Sequence, residues 1–267
     1  MLNYLSFLPK MLYQVSEYLK FLKKSTNQHG VHSPFVYHLV TQCFYNKKKY
    51  EDYSVLKQHR ENLYTNKTTI SVTDFGAGSR VFKSNQRQVS KIAKTAGIPK
   101  KRAQLLYRIA NYFQVKDTLE LGTSLGLATV AMSLGNKKGN VITIEGCPET
   151  AKIALQEFNN CNRDNIQLKV NDFTTELEHL KNKTFDLIYI DGNHQKEATL
   201  HYFTSLLANI HNDSLMIFDD IHWSPAMTEA WNEIKEHPKV TVTIDSFFWG
   251  FVFFRKEQKK EHFTIRV

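Results

Sequence analysis

The run Thr118-Leu-Glu-Leu-Gly-Thr-Ser-Leu-Gly-Leu-Ala-Thr129 constrains the fold of this chain more than any other stretch. It reads as a short buried strand, a tight glycine turn and the first turn of a helix. At such a junction, backbone amides at the helix start face an incoming anionic group. Twenty-three residues after Gly122, a second apolar strand (Val141-Ile-Thr-Ile144) ends on Glu145. An acid in that place accepts hydrogen bonds from a ribose diol, so the pair describes the first half of an open α/β nucleotide site. The spacing narrows the choice of nucleotide. Glu120-x-Gly122-x-x-x-Gly126 lacks the G-x-G-x-x-G pyrophosphate turn, which points away from NAD.

From residue 117 onward the pattern alternates regularly. Strands are expected at 118–122, 140–145, 166–170, 185–191 and 214–219, and helices at 125–134, 148–160, 174–181, 196–210 and 225–236. Five successive β/α units imply a parallel sheet with helices on both faces. Two further strands, 240–245 and 248–254, are separated by a short turn and should pair antiparallel. The fold class is therefore α/β, Rossmann-like, with a C-terminal antiparallel hairpin. Residues 1–97 read as a helical accessory or lid region, and 98–267 as the main domain. Leu5, Leu8, Leu12, Val15, Tyr18, Leu19 and Leu22 recur at helical spacing, with Pro9 starting or interrupting that helix. A second helix is expected from Pro34 to Tyr45. Lys47–Lys67 reads as a loop or mobile lid, and helices are expected over 86–94 and 100–113.

Ligands in open α/β sheets bind outside the carboxyl ends of the strands. The first strand supplies Glu120, Gly122, Thr123, Ser124 and Gly126 there, the second Glu145, and the third Asn171, Asp172 and Phe173. An Asp or amide at the third position accepts from an adenine amine, and the aromatic ring stacks on the base. The fourth strand, Phe185-Asp-Leu-Ile-Tyr-Ile-Asp191, ends on an acid, and the fifth, Leu215-Met-Ile-Phe-Asp219-Asp220, ends on two. Carboxylates gathered at buried strand ends repel one another unless a cation lies among them or their pKa values rise. Oxygen-only ligands suit a hard divalent ion such as Mg²⁺ or Ca²⁺. His194 and the Asp219–Asp220 pair are followed closely by helix starts, and His222 and Trp223 directly after the pair are expected to line a substrate pocket.

The turn resembles motif I of the class I S-adenosylmethionine (SAM) methyltransferases, and the strand ends resemble the metal-dependent O-methyltransferases of the catechol, caffeoyl-CoA and macrolide-sugar types. In those families one Asp ends the fourth strand, and an Asp-Asn or Asp-Asp pair follows about 28 residues later; here Asp191 and Asp219 are 28 residues apart. The resemblance covers about residues 98–255, including Pro99–Ile109 as the helix that leads into the first strand. It implies the seven-stranded methyltransferase sheet and SAM held by Glu120, Gly122, Thr123, Ser124, Gly126, Glu145, Asn171, Asp172 and Phe173. It further implies a divalent cation on Asp191, Asp219 and Asp220, with His194 as general base beside Asp191. The families place Lys or His three residues after the first acid, and an imidazole takes a proton near neutral pH. The Asp-Asp pair departs from the Asp-Asn of the catechol pattern.

Charge divides the chain. Residues 1–116 carry 20 Lys and Arg against 5 acids, whereas 117–267 carry 15 against 21, for a net charge of +9. A basic N-terminal part suits an anionic partner, whether substrate, RNA or membrane surface, or it is a solvated face. The expected activity is O-methylation of a small hydroxylated molecule. Two other readings stand beside it: an RNA methyltransferase that uses the basic region, and a non-enzymatic interaction or membrane-associated protein. The N-terminal amphipathic stretch is read as packing on the domain, as a homodimer contact or as a membrane-surface contact. No apolar run approaches the roughly 20 residues of a membrane span, the N-terminus lacks the parts of a signal peptide, and Cys43, Cys147 and Cys161 have no metal-type spacing. A cytoplasmic protein with reduced thiols is expected. Asp74-Phe-Gly-Ala-Gly-Ser-Arg80 imitates motif I, but no acid-ended strand follows it. It is read as a glycine-flexed lid whose Arg80 reaches an anionic group. His29 and His32 lack a third ligand nearby and are read as a substrate-side loop or a helix break.

Overall fold

The strands β3 (Asp117–Leu121), β4 (Asn140–Glu145), β6 (Leu187–Ile190) and β7 (Leu215–Asp219) are almost wholly buried along their length. Strands apolar on both faces belong at the centre of a parallel sheet covered by helices on each side, and that is where the computed structural model places them. It describes residues 2–73, 82 and 84–267. With β5 (Ile166–Val170), β8 (Val242–Asp245), β9 (Trp249–Phe253) and β10 (Glu261–Thr264), they form one eight-stranded sheet in the order β10-β8-β9-β7-β6-β3-β4-β5. The expected parallel core and the antiparallel β8–β9 hairpin are both present. β10 is an addition to the seven-stranded plan: it pairs parallel with β8 at the sheet edge. It follows the charged run Arg255–Lys260, which hides it in the sequence.

Chain order runs outward from β3 to β5, then returns to β6 on the other side of β3. Helices must therefore leave β3 and β6 toward opposite faces, and a crevice opens between the carboxyl ends of these two strands. The covering helices are α6 (Leu127–Gly135), α7 (Pro148–Asn160), α8 (Phe173–His179), α9 (Lys196–Leu206) and α10 (Pro225–Glu236). Their starts are written in the sequence. Ser224 accepts a hydrogen bond from the Met227 amide, Asp172 from that of Thr175, and Pro148 and Pro225 stand at first helical positions.

The N-terminal third is helical but differs in detail from expectation. α1 (Leu2–Lys24) runs through Pro9 without a break, and α2 (Pro34–Leu39), capped by Ser33, continues into a π-turn at Val40–Phe44. The basic segment expected to be a loop holds a helix, α3 (Tyr53–Thr65). Leu56, His59 and Leu63 form its buried stripe, a spacing outweighed in the sequence by the surrounding lysines. Likewise 86–94 is not one helix. β1 (Thr69–Ser71) and β2 (Gln86–Gln88) pair as an antiparallel ribbon before α4 (Val89–Thr95) begins, and α5 (Lys100–Tyr112) leads into β3. The Asp74–Arg80 run between the ribbon strands, Arg80 included, lies outside the described residues.

These helices share one core with the sheet. Phe44 meets Phe251 at 5.0 Å between ring centroids and Phe35 meets Phe253 at 5.0 Å, each pair worth about 1 kcal/mol beyond its buried area. Arg108 on α5 donates to the carbonyls of Cys43 and Phe44, ending the π-turn against the domain. Thr26, just past α1, is clasped by the last residues: its amide donates to Thr264 and its carbonyl accepts from Arg266.

Candidate active site

The crevice between β3 and β6 opens into two adjoining cavities. One, of about 420 Å³, is lined by Gly122, Ser124, Glu145, Asn171, Asp172 and Phe173, together with Asp191 and His194. The other, of about 590 Å³, is lined by Arg102, Asp219, Asp220, His222, Phe247 and Phe248. They meet at Asp191, His194 and Trp223, with Arg87, Ile92 and Ala96 also common to both. The elements at this boundary come from the whole chain: β6 and β7 from below, and α4 and the β1–β2 ribbon from above.

Gly122 makes the close approach of β3 and β6 feasible. Its φ is +102°, and a Cβ there would lie 2.0 Å from the Asp191 carbonyl oxygen. Gly126 starts α6 at φ +80° and packs on the Phe158 ring. Between them Ser124 donates its amide to Glu145 at 2.8 Å, and the Cys147 amide binds the other Glu145 oxygen at 2.9 Å. The carboxylate at the end of β4 is thus fixed at the cavity wall, with further acceptor directions on both oxygens. Phe173 presents its ring to the same cavity, braced edge-on by Tyr202 at 5.6 Å. Asp172 also caps α8, and the Thr175 hydroxyl and amide hold its pKa below the usual carboxylate range.

Three residues expected at the cofactor lie outside the cavity wall. Glu120 is fully enclosed beneath the turn, its Oε2 accepting from Thr129 at 2.5 Å and Thr143 at 2.6 Å. Burial pushes its carboxyl up to about 8, and its Oε1 has no hydrogen-bond partner. Thr123 is buried as well, its hydroxyl hydrogen-bonded to that of Thr143 at 2.5 Å, so a hydroxyl chain links the turn to the acid. Gly126 acts through backbone geometry alone.

At the junction of the cavities, Asp191, His194 and Asp219 each offer a ligand atom within 4.8 Å of the others. His194 Nε2 lies 3.8 Å from Asp191 Oδ1, and the Tyr189 hydroxyl donates to Asp191 Oδ2 at 3.1 Å. Burial pushes Asp191 up to about 6, with the charges of Asp220 and Glu120 adding to it and a hydrogen bond from Asp219 working against it; burial and then the charge of Asp191 push Asp219 up to about 8. Asp220 is not in the group of three. It leaves β7 at φ +53° and lines only the larger cavity. His222 lines that cavity with both ring nitrogens engaged, by Asp245 at 2.8 Å and Thr228 at 3.2 Å, and it stacks on Phe247. Trp223 lies at the boundary, its ring 6.2 Å from that of His194.

Arg102 was missed as a site residue. It stands in the first turn of α5, its guanidinium 3.3 Å from Asp219 Oδ1 and stacked over Phe248 at 4.6 Å and Trp249 at 5.9 Å. The sequence places it among Lys100 and Lys101 in a basic helix, where nothing marks one cation as inward-facing. His29 and His32 do not reach the cavities, and no second group of metal-type side chains occurs among the described residues.

A methyltransferase domain family matches residues 119–221, which run from β3 to just past β7. A curated relative, an uncharacterized protein of Acanthamoeba polyphaga mimivirus, is 25% identical over 150 residues, 49% of this chain. The chain spans 65% of that relative's length. Among solved structures, the SAH-bound methyltransferase of Podospora anserina has a TM-score of 0.59 at 15% identity, covering 85% of this chain and 97% of that one. The Bacillus cereus O-methyltransferase in complex with SAH has 0.54 at 17%, covering 78% and 93%. The Streptomyces achromogenes O-methyltransferase involved in tomaymycin synthesis, in complex with SAM, has 0.54 at 14%, covering 86% and 99%. Residues 119–221 thus match a methyltransferase domain family, and the chain has the fold of these SAM- and SAH-bound methyltransferases.

Proposed function

We propose that the chain transfers the methyl group of SAM to a hydroxyl of a small molecule, assisted by a divalent cation. The observation that carries this reading is the meeting of two cavities at Asp191, His194 and Trp223. The smaller cavity suits the cofactor: amides of the Gly122–Ser124 turn toward its carboxylate, Glu145 toward the ribose, and Phe173 with Asn171 and Asp172 toward the adenine. The larger one holds the acceptor, walled by Phe247, Phe248 and Trp223, with Arg102 and Arg87 suiting an anionic group. In this reading residues 1–97 are the accessory region that roofs the acceptor, which fits the presence of Gln14, Phe82 and Arg87 in its wall, and 98–267 are the methyltransferase domain. The cytoplasm is the expected compartment.

The donor set fits a hard divalent ion. Asp191 and Asp219 stay reluctant to ionise even with Arg102 beside Asp219, as expected of carboxylates short of positive charge. When bound, such an ion would be held by these two acids and would lower the pKa of the acceptor hydroxyl. His194 takes the hydroxyl proton, and Tyr189 orients Asp191. The acceptor oxygen forms its bond to the methyl carbon as the carbon–sulfur bond breaks, and neutral thioether leaves. The cavity walls supply the in-line alignment.

The test is a screen of cell extract with labelled SAM and purified protein, with Mg²⁺ or with EDTA. Label should enter a small molecule, EDTA should abolish transfer, and Asp219→Asn should abolish it while calorimetric SAM affinity stays within a few-fold. Full activity in EDTA would remove the cation from the reading, and label found in tRNA alone would replace the acceptor class.

A further inference from the structure

Arg102 spends little of its side chain on the fold. A guanidinium is a planar fork of N–H donors with no acceptor, and among the described residues this one makes a single ion pair, from Nη1 to Asp219 Oδ1 at 3.3 Å. Its Nε and Nη2 have no hydrogen-bond partner there. Arg108, six residues on along α5, bonds through Nε, Nη1 and Nη2 alike. The Arg102 fork is nonetheless held in place, over the Phe248 ring at 4.6 Å and the Trp249 ring at 5.9 Å. Its side chain is 26% exposed, and it lines the larger cavity but not the smaller one. An unspent fork fixed on aromatic faces is pre-organised to grip an anion through two parallel N–H bonds.

We propose that the acceptor is a small acid, a hydroxylated molecule whose carboxylate or phosphate is gripped by Arg102 while its hydroxyl faces Asp191 and His194. This rests on the reading of the larger cavity as the acceptor's. Charge selects the anion. The cations lining that cavity are Arg87, Lys94 and Arg102 and the acids are Asp191, Asp219 and Asp220, so the two sets balance in number. A divalent ion held by Asp191 and Asp219 would leave the wall positive, and a cleft of that sign draws an anionic ligand. Arg102 is the cation placed to meet it. Arg87 gives its Nε to the Ser84 carbonyl and lies over Phe82 at 5.0 Å, and Lys94 lies over the Tyr64 ring at 5.7 Å. The spacing suits one compact molecule: Asp219, which touches Arg102, offers a ligand atom within 4.8 Å of those of Asp191 and His194. Acid and hydroxyl can therefore reach their separate partners from a single small scaffold.

The test starts from the extract screen with labelled SAM and Mg²⁺. The labelled product should be retained on an anion-exchange resin at neutral pH and elute with salt. Phosphatase then separates a phosphate, which loses its charge, from a carboxylate, which keeps it. A labelled small molecule that flows through uncharged would overturn the proposal and leave O-methylation standing. No label in any small molecule would remove the reading beneath it, and the proposal with it. The acceptor identified from that product is next titrated calorimetrically into the SAH-loaded chain with Mg²⁺. Arg102→Gln should weaken its binding about 10–100-fold, the worth of hydrogen bonds to a charged group, while SAH affinity stays within about two-fold. Arg102→Lys keeps the charge without the fork and should recover only part of the loss. Lys101→Gln, at an exposed neighbour outside the cavity, should bind the acceptor like the parent. Equal acceptor binding by the parent and Arg102→Gln would overturn the proposal. So would an equal loss of SAH affinity, which would make Arg102 a residue of the fold.

Discussion

Glu120→Gln gives a prediction whose size follows from the geometry. The Glu120 side chain is fully enclosed, two threonine hydroxyls serve Oε2, and Oε1 has no partner. Burial outweighs those two bonds and lifts the carboxyl from 4.5 to about 8. In the unfolded chain the group returns near its ordinary value. Between the two values the folded state keeps a proton that the unfolded state has shed, so stability falls as pH rises through this window. Each unit is worth about 1.4 kcal/mol, so the full climb amounts to at most about 5 kcal/mol, lost between about pH 4.5 and about pH 8. Gln at this position cannot ionise, yet keeps an oxygen for Thr129 and Thr143. The variant should therefore lack one proton's worth of slope, about 1.4 kcal/mol per pH unit. At pH near 8 it should be the more stable chain, by a few kcal/mol less about 1–3 for an unpartnered amide donor. Urea unfolding followed by tryptophan fluorescence at several pH values measures both quantities. Asp219 adds a slope of the same sign to both chains, while Asp191, whose pKa the Glu120 charge helps to raise, adds a slightly smaller one in the variant. Identical slopes for parent and variant would refute the reasoning.

Gly122→Ala should cost about 2–4 kcal/mol of stability in calorimetric melting, because a left-handed φ and a clash with the Asp191 carbonyl coincide there. Glu145→Ala should weaken SAM binding at least about ten-fold by isothermal calorimetry, since it removes the proposed ribose acceptor and releases the Ser124 and Cys147 amides. Arg102→Gln should leave SAM affinity within about two-fold but slow methyl transfer at least about ten-fold, because the guanidinium meets Asp219 in the larger cavity, proposed for the acceptor, and does not line the smaller one. Equal losses in both measurements would show that Arg102 acts on the fold instead.

The β/α half was legible because its signals are local. Buried strands read as continuous apolar runs, and their ends carry the acids, so β3 to β7 fall within two residues of expectation at almost every boundary. The carboxylate step from Asp191 to Asp219 was visible for the same reason: register 190↔218 in adjacent parallel strands brings the two ends side by side. What stayed hidden depends on tertiary contact. α3 sits in a lysine-rich segment whose buried stripe is only Leu56, His59 and Leu63. Arg102 is one of three consecutive cations, and only the Phe248 and Trp249 rings, contributed from beyond residue 247, decide which one turns inward. Glu120 looked like a ligand residue by position, but its enclosure requires Thr129 and Thr143 from two other elements.

The clasp at Thr26 bears on the order of events during synthesis. Thr26 is held by Thr264 and Arg266 across nearly the whole chain, and Tyr45 donates to the Arg266 carbonyl. The seven strands from β5 to β8 across the sheet are complete before these last residues emerge, so the catalytic crevice can form while the foot of α1 is still unfastened. For that interval the first helix is held by its contacts farther along, Tyr13 on Thr228 and Phe21 beside Phe247. β10 and the residues just after it thus fasten the foot of a helix that is already seated.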